Sequence, residues 1–129
     1  FKFLLQTCDI HICLLPLTSE TVSIFDKSSF ILMKHGSCFI NAGRGEHVVE
    51  EDLINNCKSG QISSAILDVY CKEPLPQNSK LWEQENVRIW PHVAAETNPE
   101  TAAKQIAKAI KCIADGKTPP NTIDRILGY

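Results

Sequence analysis

Three charged or titratable side chains follow short apolar runs, where they could act together on one small molecule. Arg44 lies between two glycines, Glu73 precedes a proline, and His92 follows one. An arginine guanidinium binds a carboxylate through two parallel hydrogen bonds. A histidine donates a proton to a carbonyl oxygen as hydride reaches the carbon, and a neighbouring carboxylate orients the imidazole and stabilises its protonated form. This set of residues therefore favours reduction of a carbonyl that stands beside a carboxylate.

The hydrophobic pattern predicts the elements that must position these side chains. Short apolar runs predict strands, the first of them buried on both faces, and amphipathic stretches predict helices between them. Asp26 and Gly36 would begin and end the first helix, and Thr97 with Glu100 has the spacing of a capping box before the last helix. The predicted strands are 9–15, 37–42, 62–70 and 87–90, and the predicted helices are 27–35, 50–59 and one that starts at 97–99 and ends at Gly116.

Strands that alternate with helices are typical of an α/β fold with a parallel sheet. In such sheets, ligands bind at the carboxyl ends of the strands. That rule selects four loops as the ligand site, and three of them carry Arg44, Glu73 and His92. The four loops are 16–21, 42–45, 68–74 and 91–95.

Composition and charge narrow the classes of function. The chain has 129 residues, 43% of them hydrophobic, and a formal net charge of −2. A nucleic-acid binder or a polybasic membrane-surface protein needs a strong positive field, so neither is expected. No apolar run approaches the roughly 20 residues that cross a bilayer. The six cysteines form no Cys-x-x-Cys pair, so we expect no metal site and a reducing, cytoplasmic environment.

Five short segments form a series along the chain. They are Leu15–Thr21, Asn41–Gly45, Leu67–Val69 with Glu73–Pro76, Leu81–Trp82, and Pro91–Ala95. In order and spacing, this series resembles the D-isomer-specific 2-hydroxyacid dehydrogenase family. The segment His47–Glu50 and the ending from Asp124–Arg125 to Gly128–Tyr129 resemble the glyoxylate/hydroxypyruvate reductase A branch of that family. The resemblance covers essentially the whole chain.

The resemblance implies a role for each matching residue. Arg44 would bind the carboxylate and carbonyl of the substrate, His92 would be the catalytic acid/base, and Glu73 its partner. Asp68 would hydrogen-bond the nicotinamide carboxamide, although a structural role stays open because a buried carboxylate needs partners. The reaction would reduce a small 2-oxo acid, glyoxylate or hydroxypyruvate, with NADPH or NADH. The implied cofactor-binding residues are Leu15, Pro16, Thr21, Ala42, Gly43, Arg44, Asp68, His92, Ala94 and Ala95.

The resemblance also implies the fold class and the domain organisation. We expect the C-terminal part of a doubly wound, Rossmann-type NAD(P)-binding domain with parallel strands. Residues 1–96 would form this partial domain, lacking its first strands, and residues 97–129 would form the C-terminal helix and tail of the substrate domain. The chain has no Gly-x-Gly-x-x-Gly phosphate loop, because Val48 occupies the third position after Gly43-Arg44-Gly45. We therefore expect a C-terminal portion of a longer protein, whose full-length form would be a homodimer.

Two features leave a second function open. Trp90 stands where the family usually has threonine, and its side chain could alter the packing that aims His92. The missing phosphate loop also fits a truncated, non-catalytic remnant or a Rossmann-like interaction module, because the fold does not enforce catalysis. The other histidines, His11, His35 and His47, lack such context, and we expect them to be structural or on the surface.

Overall fold

A parallel sheet of four strands forms the centre of the first part of the chain. The computed structural model describes residues 1–126, and the chain divides into two units, the first ending at Ala94 and the second beginning at Ala95. In their order along the sheet, the strands are β1 (Ile10–Cys13), β2 (Ser37–Asn41), β3 (Ile62–Leu67) and β4 (Val87–Ile89). The helices are α1 (Lys2–Thr7), α2 (Lys27–Leu32) and α3 (Glu50–Lys58) in the first unit and α4 (Pro99–Ala114) in the second, with short 3₁₀ turns at Gly45–His47 and Lys80–Glu83.

Each pair of neighbouring strands is parallel, so the carboxyl ends of the strands lie at one edge of the sheet. In the registers of the three pairs, Ile12 is opposite Ile40, Ile40 is opposite Ile66, and Ile66 is opposite Arg88. The loops that follow the strands start from this common edge. The α/β class with a parallel sheet, predicted from the alternation of apolar and amphipathic stretches, is confirmed.

The hydrophobic core lies on one side of the sheet. Phe39 of β2 is fully buried in one cluster with Phe30 of α2 and Leu53 of α3. On the opposite face, Ile10 and Ile12 of β1 are 60% and 59% exposed. The prediction that the first strand is buried on both faces is therefore wrong for residues 1–126, because the helices of the first unit join the core on one side only.

Aromatic rings fix the segment between β1 and α2 against the sheet. The ring centroids of Phe25 and Phe39 are 4.8 Å apart, and those of Phe30 and Phe39 are 5.3 Å apart at an interplanar angle of 88°. Tilted and edge-to-face arrangements suit the ring quadrupoles, and burying each ring stabilises the fold by about 1.5–3 kcal/mol. The backbone of Phe25 also accepts a hydrogen bond from the amide of Val49 and donates one to the carbonyl of His47, at 3.0 and 2.9 Å. The phenylalanine cluster thus holds the short turn at 45–47 in place.

Helix α2 begins as predicted but ends earlier. Asp26 caps its N-terminus, since Oδ1 accepts a hydrogen bond from the backbone N–H of Ser29 at 2.9 Å. The sequence predicts a helix over 27–35, whereas α2 ends three residues sooner and the next residue, Met33, is extended and buried. The side-chain amide of Gln61 donates to the Met33 carbonyl at 2.8 Å. A side chain from a distant part of the chain therefore ends this helix, and Gly36 belongs to the turn beyond it.

The strands are also shorter than the apolar runs that predict them. Strand β3 ends at Leu67 instead of continuing to Tyr70. The amide of Asp68 still donates to the carbonyl of Asn41 at 2.9 Å, and the chain then leaves the ladder, because the amide of Tyr70 binds the side chain of Glu73 at 3.1 Å. Residues at the end of this apolar run thus belong to the loop that follows the strand.

Helix α4, the main element of the second unit, starts with Pro99 as the sequence predicts. Its N-cap is Asn98, one residue after the predicted Thr97. The Asn98 Oδ1 atom accepts hydrogen bonds from the backbone N–H groups of Glu100 and Thr101, both at 3.1 Å. This side chain satisfies two of the amides that the first helical turn leaves without partners.

The first residues of the chain form a short helix. Helix α1 was not predicted, because six residues are too few to establish a helical period. At the other end, Leu127, Gly128 and Tyr129, which include part of the family-like ending, lie outside the described residues. Within residues 1–126, no helix is both long and apolar enough to cross a membrane.

The N-cap of α2 can be tested with a pair of matched substitutions. We expect Asp26→Ala to lower the free energy of unfolding by about 1 kcal/mol, the usual effect of losing a capping side chain. Asp9→Ala removes an aspartate whose side chain is 82% exposed and pairs with Lys34 at the surface, so we expect a loss below about 0.5 kcal/mol. Urea unfolding of the two variants measures both values. Equal losses would show that the cap contributes nothing specific.

Candidate active site

Glu73 and His92 form a hydrogen-bonded pair at the carboxyl edge of the sheet. His92 Nδ1 lies 2.8 Å from Glu73 Oε2, and Glu73 Oε1 accepts a hydrogen bond from the backbone N–H of Tyr70 at 3.1 Å. The hydrogen bond with His92 is the largest of the three effects that lower the pKa of Glu73 below its usual value. The ionised carboxylate therefore holds the Nδ1–H side of the imidazole. Among the described residues, His92 Nε2 has no hydrogen-bond partner, so that nitrogen faces away from Glu73 and is available to a ligand.

A buried carboxylate holds the segment that carries this histidine. Asp68 is only 6% exposed, and its Oδ1 and Oδ2 accept hydrogen bonds from the backbone N–H groups of Val93 and Ala94 at 2.8 and 3.0 Å. His92 itself has a φ of +58°, in the left-handed region that non-glycine residues seldom adopt. Two charge-assisted hydrogen bonds immediately after that residue stabilise this conformation. Asp68 thus has a structural part in the site, and its predicted contact with nicotinamide stays a prediction.

Tyr70 joins the ends of β3 and β4 beneath the pair. Its hydroxyl oxygen is 2.8 Å from the carbonyl oxygens of Leu67 and of Trp90, and it accepts a hydrogen bond from the Trp90 amide at 3.0 Å. Burial raises the pKa of Tyr70 above its usual value, so the hydroxyl stays protonated and donates to these carbonyls. The two residues before His92 are therefore fixed relative to the loop that contains Glu73.

Arg44 extends from a tight turn after β2. Asn41, which is almost completely buried, accepts a hydrogen bond from the amide of Gly43 at 3.1 Å and donates its own side-chain N–H to the Arg44 carbonyl at 2.9 Å. The Arg44 side chain is exposed, and its Nη1 donates to the Gly43 carbonyl at 2.7 Å. Its remaining guanidinium N–H groups bond to no other group in the described part of the chain. The turn is rigid, whereas most of the guanidinium fork is free to bind a carboxylate.

The glycine after Arg44 allows this turn to approach the loop of Glu73 closely. A Cβ atom on Gly45 would lie 1.8 Å from the backbone carbon of Tyr70 and 2.2 Å from the backbone nitrogen of Cys71. The Cys71 thiol also donates to the Gly45 carbonyl at 3.4 Å. The turn of the arginine and the loop of the glutamate thus pack backbone against backbone.

The predicted cofactor-lining loops are neighbours in the structure. A Cβ atom on Gly43 would lie 3.2 Å from the backbone oxygen of Leu15. In the first of these loops, Thr21 Oγ1 donates to the carbonyl of Pro16 and accepts from the amide of Thr18, both at 2.8 Å. This threonine therefore shapes the loop, and its hydroxyl is already engaged by backbone.

A cavity of about 250 Å³ brings three predicted cofactor-binding residues together. Ala42, Asp68 and Ala94 line it, with Trp90 and the apolar end of Ile40. The tenth predicted position, at residue 95, begins the second unit and is not part of this cavity. The cavity therefore lies between the carboxyl ends of β2, β3 and β4.

A second pocket, of about 470 Å³, adjoins the hydrogen-bonded pair. Glu73 and His92 line it together with Trp82, Trp90 and Leu75. Trp90, which differs from the residue usual in the family, lines both this pocket and the smaller cavity. Arg44 follows β2 at the same edge of the sheet but does not line either of these two spaces.

The cysteines offer no nucleophile to this site. All six are free thiols. Burial raises the pKa of Cys71, the cysteine nearest to Glu73 in the chain, and that of Cys57, each to about 11. A thiol must lose its proton to attack a substrate, so these two are inert near neutral pH.

One buried histidine was given no functional role by the sequence. His47 is completely buried, which agrees with the structural role expected for it. It also contacts residues of the site. Its Nδ1 accepts a hydrogen bond from the backbone N–H of Arg44 at 3.0 Å, and its Nε2 lies 3.3 Å from the carbonyl oxygen of Pro16. The signals in the sequence were its position three residues after Arg44 and its place in the family-like segment His47–Glu50.

Fold and site together define a parallel α/β nucleotide-binding type of domain with a hydrogen-bonded histidine–glutamate pair at its carboxyl edge. Residues 1–94 match the model of the D-isomer specific 2-hydroxyacid dehydrogenase family, NAD binding domain. The chain is 43% identical over 125 residues to glyoxylate/hydroxypyruvate reductase A of Serratia proteamaculans, and 43% identical over 120 residues to the protein of that name from an Enterobacter species. These matches cover 97% and 93% of this chain but 40% and 38% of the relatives.

Solved structures give the same relationship. A D-isomer specific 2-hydroxyacid dehydrogenase from Xanthobacter autotrophicus Py2, in complex with NADPH and MES, superposes with a TM-score of 0.96 at 39% identity, over 99% of this chain and 53% of that one. An NADPH-dependent glyoxylate/hydroxypyruvate reductase from Sinorhizobium meliloti, in complex with NADP and sulfate, gives 0.91 at 33% identity, over 99% of this chain and 42% of that one. The chain belongs to the D-isomer specific 2-hydroxyacid dehydrogenase family, and it spans about 40% of the length of the curated relatives that it matches.

The close approach at Gly45 predicts a large effect of a single methyl group. We expect Gly45→Ala to lower the free energy of unfolding by about 3 kcal/mol or more, because the new Cβ atom would overlap the backbone at Tyr70. Gly36→Ala is the matched control, since a Cβ atom there meets no atom within 4 Å. Its only strain comes from the left-handed backbone conformation, with a φ of +79°. The control should lose about 1–2 kcal/mol. Denaturant unfolding that ranks Gly36→Ala as the more harmful change would contradict this account of the turn.

The lowered pKa of Glu73 predicts a dependence of stability on pH. Because the pKa is lower in the folded chain, the stabilising effect of this carboxylate is complete above the unfolded-state value, about 4.3 for glutamate. It is lost as the pH falls through the lower, folded-state pKa. Between about pH 6 and pH 3, the free energy of unfolding should therefore fall more in the parent chain than in Glu73→Gln.

A change at an exposed glutamate outside the pair provides the control for that experiment. Glu83→Gln removes a carboxylate of the same type on the surface, and its loss of stability on acidification should match that of the parent. Urea unfolding at several pH values measures the three curves. If Glu73→Gln and the parent lost stability in parallel, the bond between Glu73 and His92 would not stabilise the ionised carboxylate.

Proposed function

We propose that the full-length protein carrying this chain reduces a small 2-oxo acid, glyoxylate or hydroxypyruvate, with NADPH. The observation that carries this proposal is the Glu73–His92 pair, in which Nδ1 is held at 2.8 Å and Nε2 is left to a ligand. Arg44, with most of its guanidinium unbonded, follows β2 at the same edge of the sheet. The relatives with 43% identity bear the name of such a reductase, which supports the choice of substrate.

The three side chains divide the work of the reaction. The Arg44 guanidinium binds the carboxylate of the 2-oxo acid and sets the direction of its carbonyl. Protonated His92 donates its Nε2 proton to the carbonyl oxygen and so prevents an alkoxide from accumulating. Glu73 stabilises the imidazolium before the transfer and keeps Nδ1 protonated after it, which leaves Nε2 as the atom that exchanges the proton. The nicotinamide cofactor, when bound, supplies the hydride to the carbonyl carbon.

The residues present fit a nicotinamide cofactor. The cavity of about 250 Å³ lies at the carboxyl edge of a parallel sheet, where such folds bind nucleotides, and it combines apolar walls with the buried carboxylate of Asp68. We infer that the cofactor is NADP, as in the Xanthobacter and Sinorhizobium structures, with NAD as the other member of the class. The proposed contacts come from Leu15, Pro16, Thr21, Ala42, Gly43, Arg44, Asp68, His92, Ala94 and Ala95.

The proposal extends to the organisation of the whole protein. Residues 1–96 would be part of the NAD(P)-binding domain, and residues 97–129, which contain α4, would be the helix and tail of the substrate domain. The match of the family model to residues 1–94 supports the first of these assignments. The full-length protein would act as a homodimer in the cytoplasm.

Substitution of the proposed acid/base tests this function directly. In the full-length protein, we expect His92→Asn to lower kcat for hydroxypyruvate by about 100-fold or more, the usual contribution of a positioned proton donor. The Kd for NADPH should change much less than kcat, because His92 is one of ten proposed cofactor contacts but the only proposed proton donor. His35→Asn replaces an exposed histidine away from the sheet edge and should retain the parent rate. Steady-state kinetics and NADPH fluorescence titration measure the two quantities.

Different failures of that experiment have different meanings. If His92→Asn reduced hydroxypyruvate at the parent rate, the acid/base assignment would be wrong. If the folded parent protein bound no NADPH and reduced no 2-oxo acid, the reductase proposal would fail as a whole. The interaction module would then be the remaining function for this fold.

A further inference from the structure

His47 connects the two loops to which the proposed function assigns cofactor and substrate. Its side chain is completely buried in the 3₁₀ turn after Arg44. The ring contacts three segments of the chain: the end of β1, the loop that follows β1, and the turn of Arg44. Nδ1 lies 3.0 Å from the backbone nitrogen of Arg44 and 3.6 Å from the sulfur of Cys13, and Nε2 lies 3.3 Å from the carbonyl oxygen of Pro16.

These contacts determine the tautomer of the ring. The backbone N–H of Arg44 is always a donor, so Nδ1 must accept and cannot carry a proton. The carbonyl of Pro16 is always an acceptor, so Nε2 must donate. His47 is therefore a neutral imidazole with its proton on Nε2. Both ring nitrogens are engaged with backbone, which leaves neither of them for proton transfer to a substrate.

The ring also fills the space between the two loops. A Cβ atom on Gly43 would lie 3.0 Å from His47 Nδ1 and 3.2 Å from the backbone oxygen of Leu15. Replacing the ring by a shape without nitrogen would leave the backbone N–H of Arg44 without its partner, and the Pro16 carbonyl would keep only the hydrogen bond from Thr21 Oγ1. The loss of such hydrogen bonds is costly where the groups are shielded from water.

We propose that His47 is a positioning residue, which sets the Arg44 turn and the Pro16 loop at a fixed separation through one hydrogen bond from each ring nitrogen. This inference deepens the proposed function and rests on it for the roles of the two loops. It assigns the two nitrogens separate effects. Nδ1 positions the residue that binds the substrate carboxylate, and Nε2 positions a loop that lines the cofactor.

Three substitutions separate the two effects in the full-length protein. His47→Asn keeps an acceptor near the position of Nδ1, His47→Gln keeps a donor near the position of Nε2, and His47→Phe keeps the ring shape without either group. We expect His47→Asn to raise mainly the KM for NADPH, and His47→Gln to raise mainly the KM for hydroxypyruvate. Each increase should be about tenfold, the effect of breaking one buried hydrogen bond. His47→Phe should raise both values.

A merely structural role would give another pattern. All three variants would then lower the melting temperature and the active fraction, and the KM values would stay at those of the parent. That pattern, or equal changes of both KM values in His47→Asn and His47→Gln, would overturn the proposal. Thermal melts of each variant identify any that does not fold.

A second measurement needs neither a variant nor activity. Two-bond ¹⁵N–¹H correlation spectra of the uniformly labelled parent protein report which ring nitrogen carries the proton. The expected result is a neutral ring, protonated on Nε2, together with an Arg44 amide that exchanges slowly with solvent. A ring protonated on Nδ1, or on both nitrogens, would refute the positioning role. If the parent reduced no 2-oxo acid while this spectrum was as expected, the reductase proposal would fail and the hydrogen bonds of His47 would stand.

Discussion

The Asp68 carboxylate accepts hydrogen bonds from two backbone N–H groups and so fixes the loop that carries His92. Asp68 directly follows β3, and its partners Val93 and Ala94 directly follow His92. One charged side chain therefore ties the end of one strand to the loop of the next. A buried carboxylate is expensive without such partners, so the sheet edge is stable only when the loop takes this conformation. These two bonds stabilise the backbone directly after His92, whose φ is +58°. The imidazole itself is held by Glu73.

The order of the elements could be predicted because it depends on local patterns. Apolar runs bounded by glycine and proline indicated the four strands, and Asp26 indicated where α2 begins. The ends of elements depend on contacts that no local pattern contains. Gln61 is distant from α2 in the sequence, yet its side-chain amide donates to the carbonyls of Phe30 and Met33 at the end of that helix. Likewise, one face of β1 is exposed because no element of the described chain packs against it. The apolar residues of the strand cannot indicate this.

The candidate site was predictable to a different extent for each residue. Parallel topology is sufficient to put Arg44, Glu73 and His92 at one edge, because each follows a strand of the same sheet. Glu73 and His92 then come into contact because the loops that carry them are short. The hydrogen bonds of Asp68 were less predictable, since the resemblance directed attention to a ligand and both oxygens are occupied by the protein's own backbone. The sequence contained the charge but not its partners.

The two histidines of this edge show how surroundings separate the roles of one side chain. His92 has a half-exposed ring, one nitrogen held by a carboxylate and the other without a partner in residues 1–126. That arrangement leaves one nitrogen of the ring accessible to a ligand. His47 is completely buried, and backbone groups engage both of its nitrogens. Such a ring can transmit position but not protons, because a change of protonation would break a hydrogen bond that the interior cannot replace. Exposure and the nature of the partner, more than residue type, thus distinguish the accessible ring of His92 from the enclosed ring of His47.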